Sequence, residues 1–271
     1  MLGVGRQPNG FTCGTETFLG ICEFLRLPVT DPDDDDIESY SAKLKTSAKY
    51  GTGPEMIVKT ARGYLKIGAR IETDITVAGL AKLTNSTQRY VDRLLKGGRI
   101  TKPLEIAMVA YQAYLSRDRQ RSWFFPGGRY HALRTGKARM FKIRDGARVL
   151  WERVWTDGHW SAVLRVVMPR ERVVLEAIAR QLGDRSRTGE VKQGVVIFGD
   201  PSNGEGLSFI PIPEFARRWH DADRYDNPRF RCTAVVLHVS TRMLKKMRRD
   251  SARRGVPMFA TVARNAVIYV P

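Results

Sequence analysis

Four residues from three separate parts of the chain have the side chains that thiol chemistry requires. That chemistry needs a thiolate, a base, a group that orients the base, and donors for the oxyanion. Cys13 lies at the first turn of a predicted helix, whose dipole favours a thiolate and whose open end presents the sulfur. Gly14 beside it leaves room for a substrate backbone. Gln7, six residues earlier, could donate its amide to an oxyanion.

His159 and Asp200 are the candidate base and orienting carboxylate. DGHWSAVL places His159 at the start of a predicted strand, where its side chain can face a cleft while Trp160 and Val163 pack. Asp200 ends the strand VVIFGD in an Asp-Pro turn, and a carboxylate there can hold a histidine in one tautomer. Taken singly, a cysteine near a helix start and a histidine on a strand are more often core residues.

A helix must hold the cysteine, and the sequence predicts one over residues 13–27. Phe18, Ile21, Cys22 and Leu25 recur at the spacing of a buried helical stripe. Cys22 is therefore expected in the core. A second helix is predicted to begin near position 35, where acidic residues suit the positive helix end.

The rest of the chain divides into a helical first half and a strand-rich second half. Residues 40–112 read as mostly helical, but the apolar run LEIAMVAYQAY at 104–114 fits a buried strand or a helix equally well. Later elements are predicted as strands at 159–167, 194–200, 233–239 and 265–271 and as helices at 169–183 and 241–254. Helices followed by strands are typical of an α+β fold.

These motifs, in this order, resemble a known family. QPNGFTCG before a helix, TDGHWSAVLRV and FGDPSNGEGLSFIPIPEFARRWHDAD are similar to the cysteine, histidine and aspartate motifs of the bacteriocin-leader (double-glycine) cysteine peptidases, especially their stand-alone members. LLKGGRITKPLEIAMVAYQAY and KLKTSAKYGTGPEMIVKTARGYLKIGA also resemble family segments. The resemblance covers most of residues 6–239, and its specific part is the three motifs.

The resemblance implies a papain-like α+β fold, with N-terminal helices packed on a C-terminal antiparallel sheet over residues 1–240. It implies Cys13 as nucleophile, His159 as general base, Asp200 as orienter and Gln7 as oxyanion donor. The reaction implied is hydrolysis of a peptide bond, often after small residues such as paired glycines. The alternative is a nucleic-acid-binding or particle-associated structural protein, for example in a phage particle, on a peptidase-derived scaffold.

The chain is strongly basic, which bears on its partners. Its net charge is +18 and its isoelectric point is near 10.2, a field that attracts polyanions. Residues 115–158 form a basic insertion in which aromatic side chains lie between the charges, and residues 241–271 hold a basic helix and the last predicted strand. The candidate contacts to nucleic acid or another polyanion are Arg117, Arg119, Arg121, Lys245, Lys246, Arg248 and Arg249. A solvated basic face, or an arginine-rich source proteome, explains the charge equally well.

The cysteine content and the hydropathy of the sequence indicate in which compartment the protein resides. Cys13, Cys22 and Cys232 supply neither a disulfide framework nor the closely spaced pairs of a zinc site, so we expect no metal or cofactor. MLGVGRQPNGFTCG lacks the apolar run of a secretory signal, and no stretch is long enough to span a bilayer. The expected location is the cytoplasm or the inside of a viral particle, without membrane contact.

Overall fold

The fold is an α+β arrangement built on one antiparallel sheet that carries helices on both faces. The computed structural model describes residues 12–25, 27, 37–47, 51–95, 98–115, 138–145, 148–182, 191–199, 207–222 and 228–255. The helices are α1 (Cys13–Phe24), α2 (Ile37–Lys43), α3 (Pro54–Gly63), α4 (Val77–Leu95), α5 (Arg172–Leu182), α6 (Ile212–Arg218) and α7 (Thr241–Arg254). The strands are β1 (Gly68–Glu72), β2 (Leu104–Leu115), β3 (Ala138–Asp145), β4 (Arg148–Val167), β5 (Val195–Gly199), β6 (Leu207–Pro211), β7 (Asp221–Ala222), β8 (Pro228–Arg229) and β9 (Ala234–Val239).

The order of strands in the sheet brings distant parts of the chain together. The main sheet runs β1-β9-β2-β4-β5-β6, and β3 pairs with the first part of β4. Every pairing in it is antiparallel. The short strands β7 and β8 form a separate pair. The centre of the sheet is therefore β2, flanked by β9 and β4.

The central strand β2 shows why an unbroken apolar run forms a strand here. Ile106, Met108 and Ala110 belong to one apolar cluster, whereas Ala107 and Val109 belong to another. Because side chains alternate between the two faces of a strand, both faces of β2 are buried. The apolar run at 104–114, whose pattern alone fits strand or helix, is thus a doubly covered strand.

Each face of the sheet has its own apolar cluster. The first cluster joins α1 to the sheet through Phe18, Ile21 and Trp160, and α7 adds Leu244. The second cluster lies on the opposite face, where Leu80 of α4 and Phe215 of α6 cover the strands. A third, smaller cluster packs α5 against β5 and the end of β4.

Most predicted elements are confirmed, and the errors concern short elements or distant pairings. The α+β class, the first helix with its buried stripe, and the elements now called α5, β5, β9 and α7 agree with the sequence. The expectation that 40–112 is mostly helical is wrong at β1, and the strand predicted from 159 already begins at Arg148. The sequence does not predict β6 and α6 as separate elements. The last predicted strand, 265–271, lies outside the described residues.

Much of the basic insertion at 115–158 takes part in the sheet. Its described portions are β3 and the first part of β4, which pair as a hairpin from Ala138 opposite Trp155 to Asp145 opposite Arg148. The hairpin continues directly into the histidine-bearing part of β4. The insertion is therefore, in its described part, an extension of the central sheet. Among the described helices, none has the length and apolar composition required to cross a membrane.

An ion cluster joins three neighbouring strands and makes stability depend on pH. Glu105 of β2 accepts hydrogen bonds from Arg70 of β1, at 2.5 Å, and from His238 of β9, at 3.3 Å. Burial raises the pKa of Glu105, but the bonds to Arg70 and His238 outweigh it, so the pKa is lowered overall. A lowered carboxyl pKa stabilises the native state above the unfolded-state value, and this contribution is lost as the pH falls through the native value.

We therefore expect the free energy of unfolding to fall between neutral pH and roughly pH 3 more steeply in the wild type than in Glu105→Gln. Urea unfolding at a series of pH values measures both. Glu55→Gln, which neutralises an exposed carboxylate at the start of α3, is the matched control and should follow the wild-type curve. Identical pH profiles for the wild type and Glu105→Gln would show that the cluster contributes nothing.

Candidate active site

The candidate nucleophile begins the first helix, as the sequence predicts. Cys13 is the first residue of α1, and the first helical hydrogen bond runs from the backbone N–H of Glu16 to the carbonyl of Thr12. The sulfur is not at an open end, however, because Cys13 is only 3% exposed and belongs to the first apolar cluster. The expected position on the helix is correct, and the expected exposure is wrong.

The sulfur lies against the peptide bond that joins the candidate base to its neighbour. The backbone N–H of Trp160 donates to Cys13 Sγ over 3.5 Å. That nitrogen belongs to the His159–Trp160 peptide, 147 residues along the chain from the cysteine. The structure thus brings the cysteine and histidine motifs together, at a distance that permits a weak N–H···S bond.

Trp160 fastens β4 to the start of α1 by further contacts. Its carbonyl accepts a hydrogen bond from Thr17 Oγ1 at 3.0 Å, and its indole Nε1 donates to the carbonyl of Thr52 at 2.9 Å. The side chain is buried in the first apolar cluster, which confirms that Trp160 packs. One residue therefore uses its N–H, its carbonyl and its indole to fix the sulfur relative to β4.

His159 itself is buried and lies in contact with an aromatic ring. It pairs with Tyr111 across β2 and β4, and the two rings meet edge to face with centroids 5.5 Å apart. Tyr111 belongs to the second apolar cluster, whereas the side chain of Trp160 belongs to the first. The sulfur thus touches the backbone beside His159, while the imidazole contacts Tyr111.

Two further large side chains contact the ring of Tyr111. Phe198 of β5 lies 5.1 Å from the Tyr111 ring, and the Arg218 guanidinium lies 5.5 Å from it. Arg218 is itself held by Glu214 at 2.7 Å within α6. The segment PEFARRWHDAD, which resembles a family segment, therefore packs in part against the residue that contacts His159.

A chain of hydroxyl groups holds the beginning of α1, and sequence reasoning did not find it. Ser41 Oγ lies 3.2 Å from Thr15 Oγ1, Thr15 lies 3.0 Å from Thr46, and Thr46 lies 2.7 Å from Thr52. These bonds connect α1 to the segment between α2 and α3. The available signal was the pair of threonines in CGTETF, which are polar residues on an otherwise apolar helix, and Thr15 is fully buried.

The space beside Gly14 is occupied by protein. A Cβ built at Gly14 would lie 2.6 Å from Thr52 Cβ and 2.7 Å from Thr52 Oγ1. Such distances are shorter than real contacts, so the absence of a side chain lets α1 approach Thr52. The interpretation that Gly14 leaves room for a substrate backbone is therefore wrong, because Thr52 takes that room.

Gly14→Ala should consequently destabilise the protein by about 1–3 kcal/mol through overpacking. Gly63→Ala in α3 is a matched control, because nothing lies within 4 Å of a Cβ there, and it should be neutral or stabilising by up to about 1 kcal/mol. Thermal or urea unfolding of both variants measures the difference. Equal stability of the two variants would contradict the close approach of α1 to Thr52.

The acidic residue in the first turn of α1 has a perturbed carboxyl group. Glu16 is partly buried, and desolvation by burial raises its pKa. Glu16 therefore takes up a proton at a higher pH than an exposed glutamate does.

Several predicted site residues lie outside the described residues: Gln7, Asp200, Arg117, Arg119 and Arg121. The strand that leads to Asp200 is described, and its last residue, Gly199, pairs with Ala162 of β4. Because β5 is antiparallel to β4, it runs toward the part of β4 that carries His159. Gly199, the residue before Asp200, therefore lies opposite a β4 residue that is three positions from the candidate base.

The basic candidates on α7 share one helix but not one environment. Lys245, Lys246 and Arg249 are exposed, whereas Arg248 is partly buried and donates to the carbonyl of Gly98 at 2.7 Å. Three of the four side chains are thus available to a polyanion, and Arg248 has a structural bond.

Cys22 is fully buried, as expected, and Cys232 is partly exposed; neither these two nor Cys13 is in a disulfide bond. Within the described part of the chain, no group of three histidine, cysteine or acidic side chains is placed to hold a metal ion.

Comparison of the chain with protein-family models, with curated proteins and with solved structures found no match. The function of the chain must therefore be inferred from its own residues and their geometry.

Proposed function

We propose that this chain is a papain-like cysteine peptidase that uses Cys13 as nucleophile and His159 as general base. The observation that carries the proposal is the N–H···S contact of 3.5 Å between Trp160 and Cys13. It joins a cysteine at a helix start to the residue that follows a histidine on a strand, so the cysteine and histidine motifs lie next to each other, which supports the proposal. A fixed position of the sulfur beside Trp160 is also what an oriented nucleophile requires.

The proposed reaction proceeds through a thioester. The Cys13 thiolate attacks the carbonyl carbon of the substrate, and His159 delivers its proton to the leaving amine as the peptide bond breaks. His159 then takes a proton from water, and the hydroxide attacks the thioester carbonyl. The carbon–sulfur bond then breaks, so the products are the amine released in the first step and a carboxylic acid, and Cys13 and His159 return to their thiolate and protonated forms. By resemblance, Asp200 orients His159 and Gln7 donates to the oxyanion.

Trp160 contributes to this chemistry through its backbone. A thiolate is a stronger acceptor than a thiol, so the Trp160 N–H stabilises the charged form of the sulfur. The same residue holds β4 against α1 through Thr17 and Thr52, which limits movement between the sulfur and the histidine strand. Trp160 is thus a positioning residue in the proposed peptidase.

Alkylation of the native protein tests whether Cys13 is activated. By exposure alone, the partly exposed Cys232 should react with iodoacetamide before the buried Cys13 and Cys22. An activated nucleophile reverses this order, because thiolate content rather than access alone sets the rate. We expect Cys13 to be modified first, at least about tenfold faster than Cys232, as read by peptide mass spectrometry.

The three cysteines act as internal controls in one sample. In denatured protein the three cysteines should react with iodoacetamide at similar rates, because the site that would activate Cys13 no longer exists. If Cys232 reacts first in the native protein, exposure explains the result and the proposed peptidase loses its nucleophile.

A second candidate function, binding of nucleic acid, is favoured by α7. The helix carries seven lysines and arginines against one aspartate, and Lys245, Lys246 and Arg249 are exposed on it. Neutralising these three side chains to glutamine should lower affinity for DNA or RNA and reduce its dependence on salt. An unchanged salt dependence would exclude α7 as the contact. A peptidase held on a polyanion would combine both functions.

A further inference from the structure

A basic cavity lies beside α4, and its lining includes Arg165, six residues after the candidate base. It has a volume of about 430 Å³ and opens between α4 and the connection from β4 to α5. Its lining holds four arginines, Arg89, Arg165, Arg170 and Arg172, against a single acidic residue, Glu171. The described lining is therefore strongly positive, and its charges come from three separate segments of the chain.

The innermost cation of this cavity is only partly neutralised. Arg165 has 12% of its side chain exposed and donates from Nη2 to Glu171 Oε1 at 2.6 Å. Its Nε and Nη1 atoms are buried and have no hydrogen-bond partner among the described residues. Buried guanidinium N–H groups without partners are unfavourable, so the positive charge of Arg165 is compensated only in part, by Glu171.

Glu171 holds Arg165 in place, and both of its carboxylate oxygens already accept a hydrogen bond. One carboxylate oxygen accepts from Arg165, and the other accepts from the backbone N–H of Met168 at 2.8 Å. The carboxylate is thus fixed at both oxygens. Glu171 neutralises one of the four arginine charges. The net positive charge that remains would attract an anion into the cavity.

The rim adds exposed cations and neutral donors. Arg89, Arg170 and Arg172 are exposed, and Asn85 and Gln88 of α4 bring side-chain amides to the same cavity. Arginines around a cavity of this kind match the several acceptor oxygens and the double charge of a phosphate group. We propose that this cavity binds a phosphate group, carried either by a free phosphorylated small molecule or by a nucleic-acid backbone.

Titration calorimetry of the full-length protein with three probes tests the proposal. Pyrophosphate represents a free phosphorylated ligand, a short single-stranded oligonucleotide represents the nucleic-acid backbone, and sodium chloride at equal ionic strength corrects for screening. Binding of pyrophosphate alone assigns the cavity to a small molecule. Tight, salt-sensitive binding of the oligonucleotide with weak binding of pyrophosphate assigns it to a nucleic acid.

Two charge-matched variants decide whether the cavity is responsible. Arg170→Gln/Arg172→Gln removes two exposed rim cations, and Arg217→Gln/Arg231→Gln removes two exposed cations outside both the cavity and α7. We expect the first variant to bind the preferred probe at least about tenfold more weakly and the second to bind it like the wild type. Circular dichroism confirms that both are folded.

Equal losses in the two variants would mean that the net charge, and not the cavity, attracts the probe. If neither pyrophosphate nor the oligonucleotide binds, the proposal is also overturned. Cys13→Ala should bind as the wild type does, so this result does not depend on whether the chain is a peptidase.

Discussion

Replacement of Cys13 by alanine is expected to abolish peptide cleavage, lowering turnover by about 10⁴-fold or more. The reason is chemical: alanine removes the only atom of this side chain that can form the thioester, while the bonds of Trp160 to Thr17 and Thr52 stay. Cleavage of a diverse peptide mixture, followed by mass spectrometry, measures turnover whichever peptide sequence the protein prefers. The cleaved bonds would also reveal whether small residues such as paired glycines precede them.

The matched control for this experiment is Cys232→Ala, which removes a partly exposed thiol from the second apolar cluster. It should cleave like the wild type. Both variants should show cooperative unfolding, because a cysteine-to-alanine change removes one atom from a core. Cleavage by Cys13→Ala at the wild-type rate would assign the reaction to another nucleophile.

The local parts of the site follow from sequence, because they depend on neighbouring residues. The stripe of Phe18, Ile21 and Leu25 predicts α1, and the structure buries all three. The position of Cys13 at the first turn follows from the same pattern. The strand composition of HWSAVLRVV likewise predicts the part of β4 that carries His159.

The parts that sequence could not predict depend on contacts between distant residues. β1 is five residues long and gains its strand structure by pairing with β9, from Gly68 opposite His238 to Glu72 opposite Ala234. No periodicity within GARIE reveals such a partner. In the same way, the space beside Gly14 is filled by Thr52, whose location depends on the hydroxyl contacts through Thr15 and Thr46.

Exposure of the site was also beyond sequence reasoning. The sequence predicts an exposed helix start, but Cys13 is covered by β4. Trp160 of that strand donates from its backbone N–H to the sulfur and from its indole to the carbonyl of Thr52. The alternation of β4 then separates the side chains of neighbouring residues, so that Trp160 joins the first cluster and His159 contacts Tyr111. The relation between imidazole and sulfur is consequently the most informative property of the site to test.

Replacement of His159 by alanine is expected to lower turnover by about 10²–10⁴-fold, which is the usual contribution of general acid–base catalysis. The loss should exceed that of Asp200→Asn, because an orienting group contributes less than the base. His220→Ala, which changes a partly exposed histidine outside the site, is the control and should retain wild-type turnover.

A purely structural His159 would also reduce turnover if its loss unfolded the protein, because the residue is buried against Tyr111. Added imidazole separates the two explanations. It can occupy the space left by the side chain and act as a base, so it should restore part of the turnover of His159→Ala and none of that of Cys13→Ala. If imidazole restores only thermal stability, with turnover unchanged, His159 fills space between β2 and β4 and the proposed peptidase lacks its base.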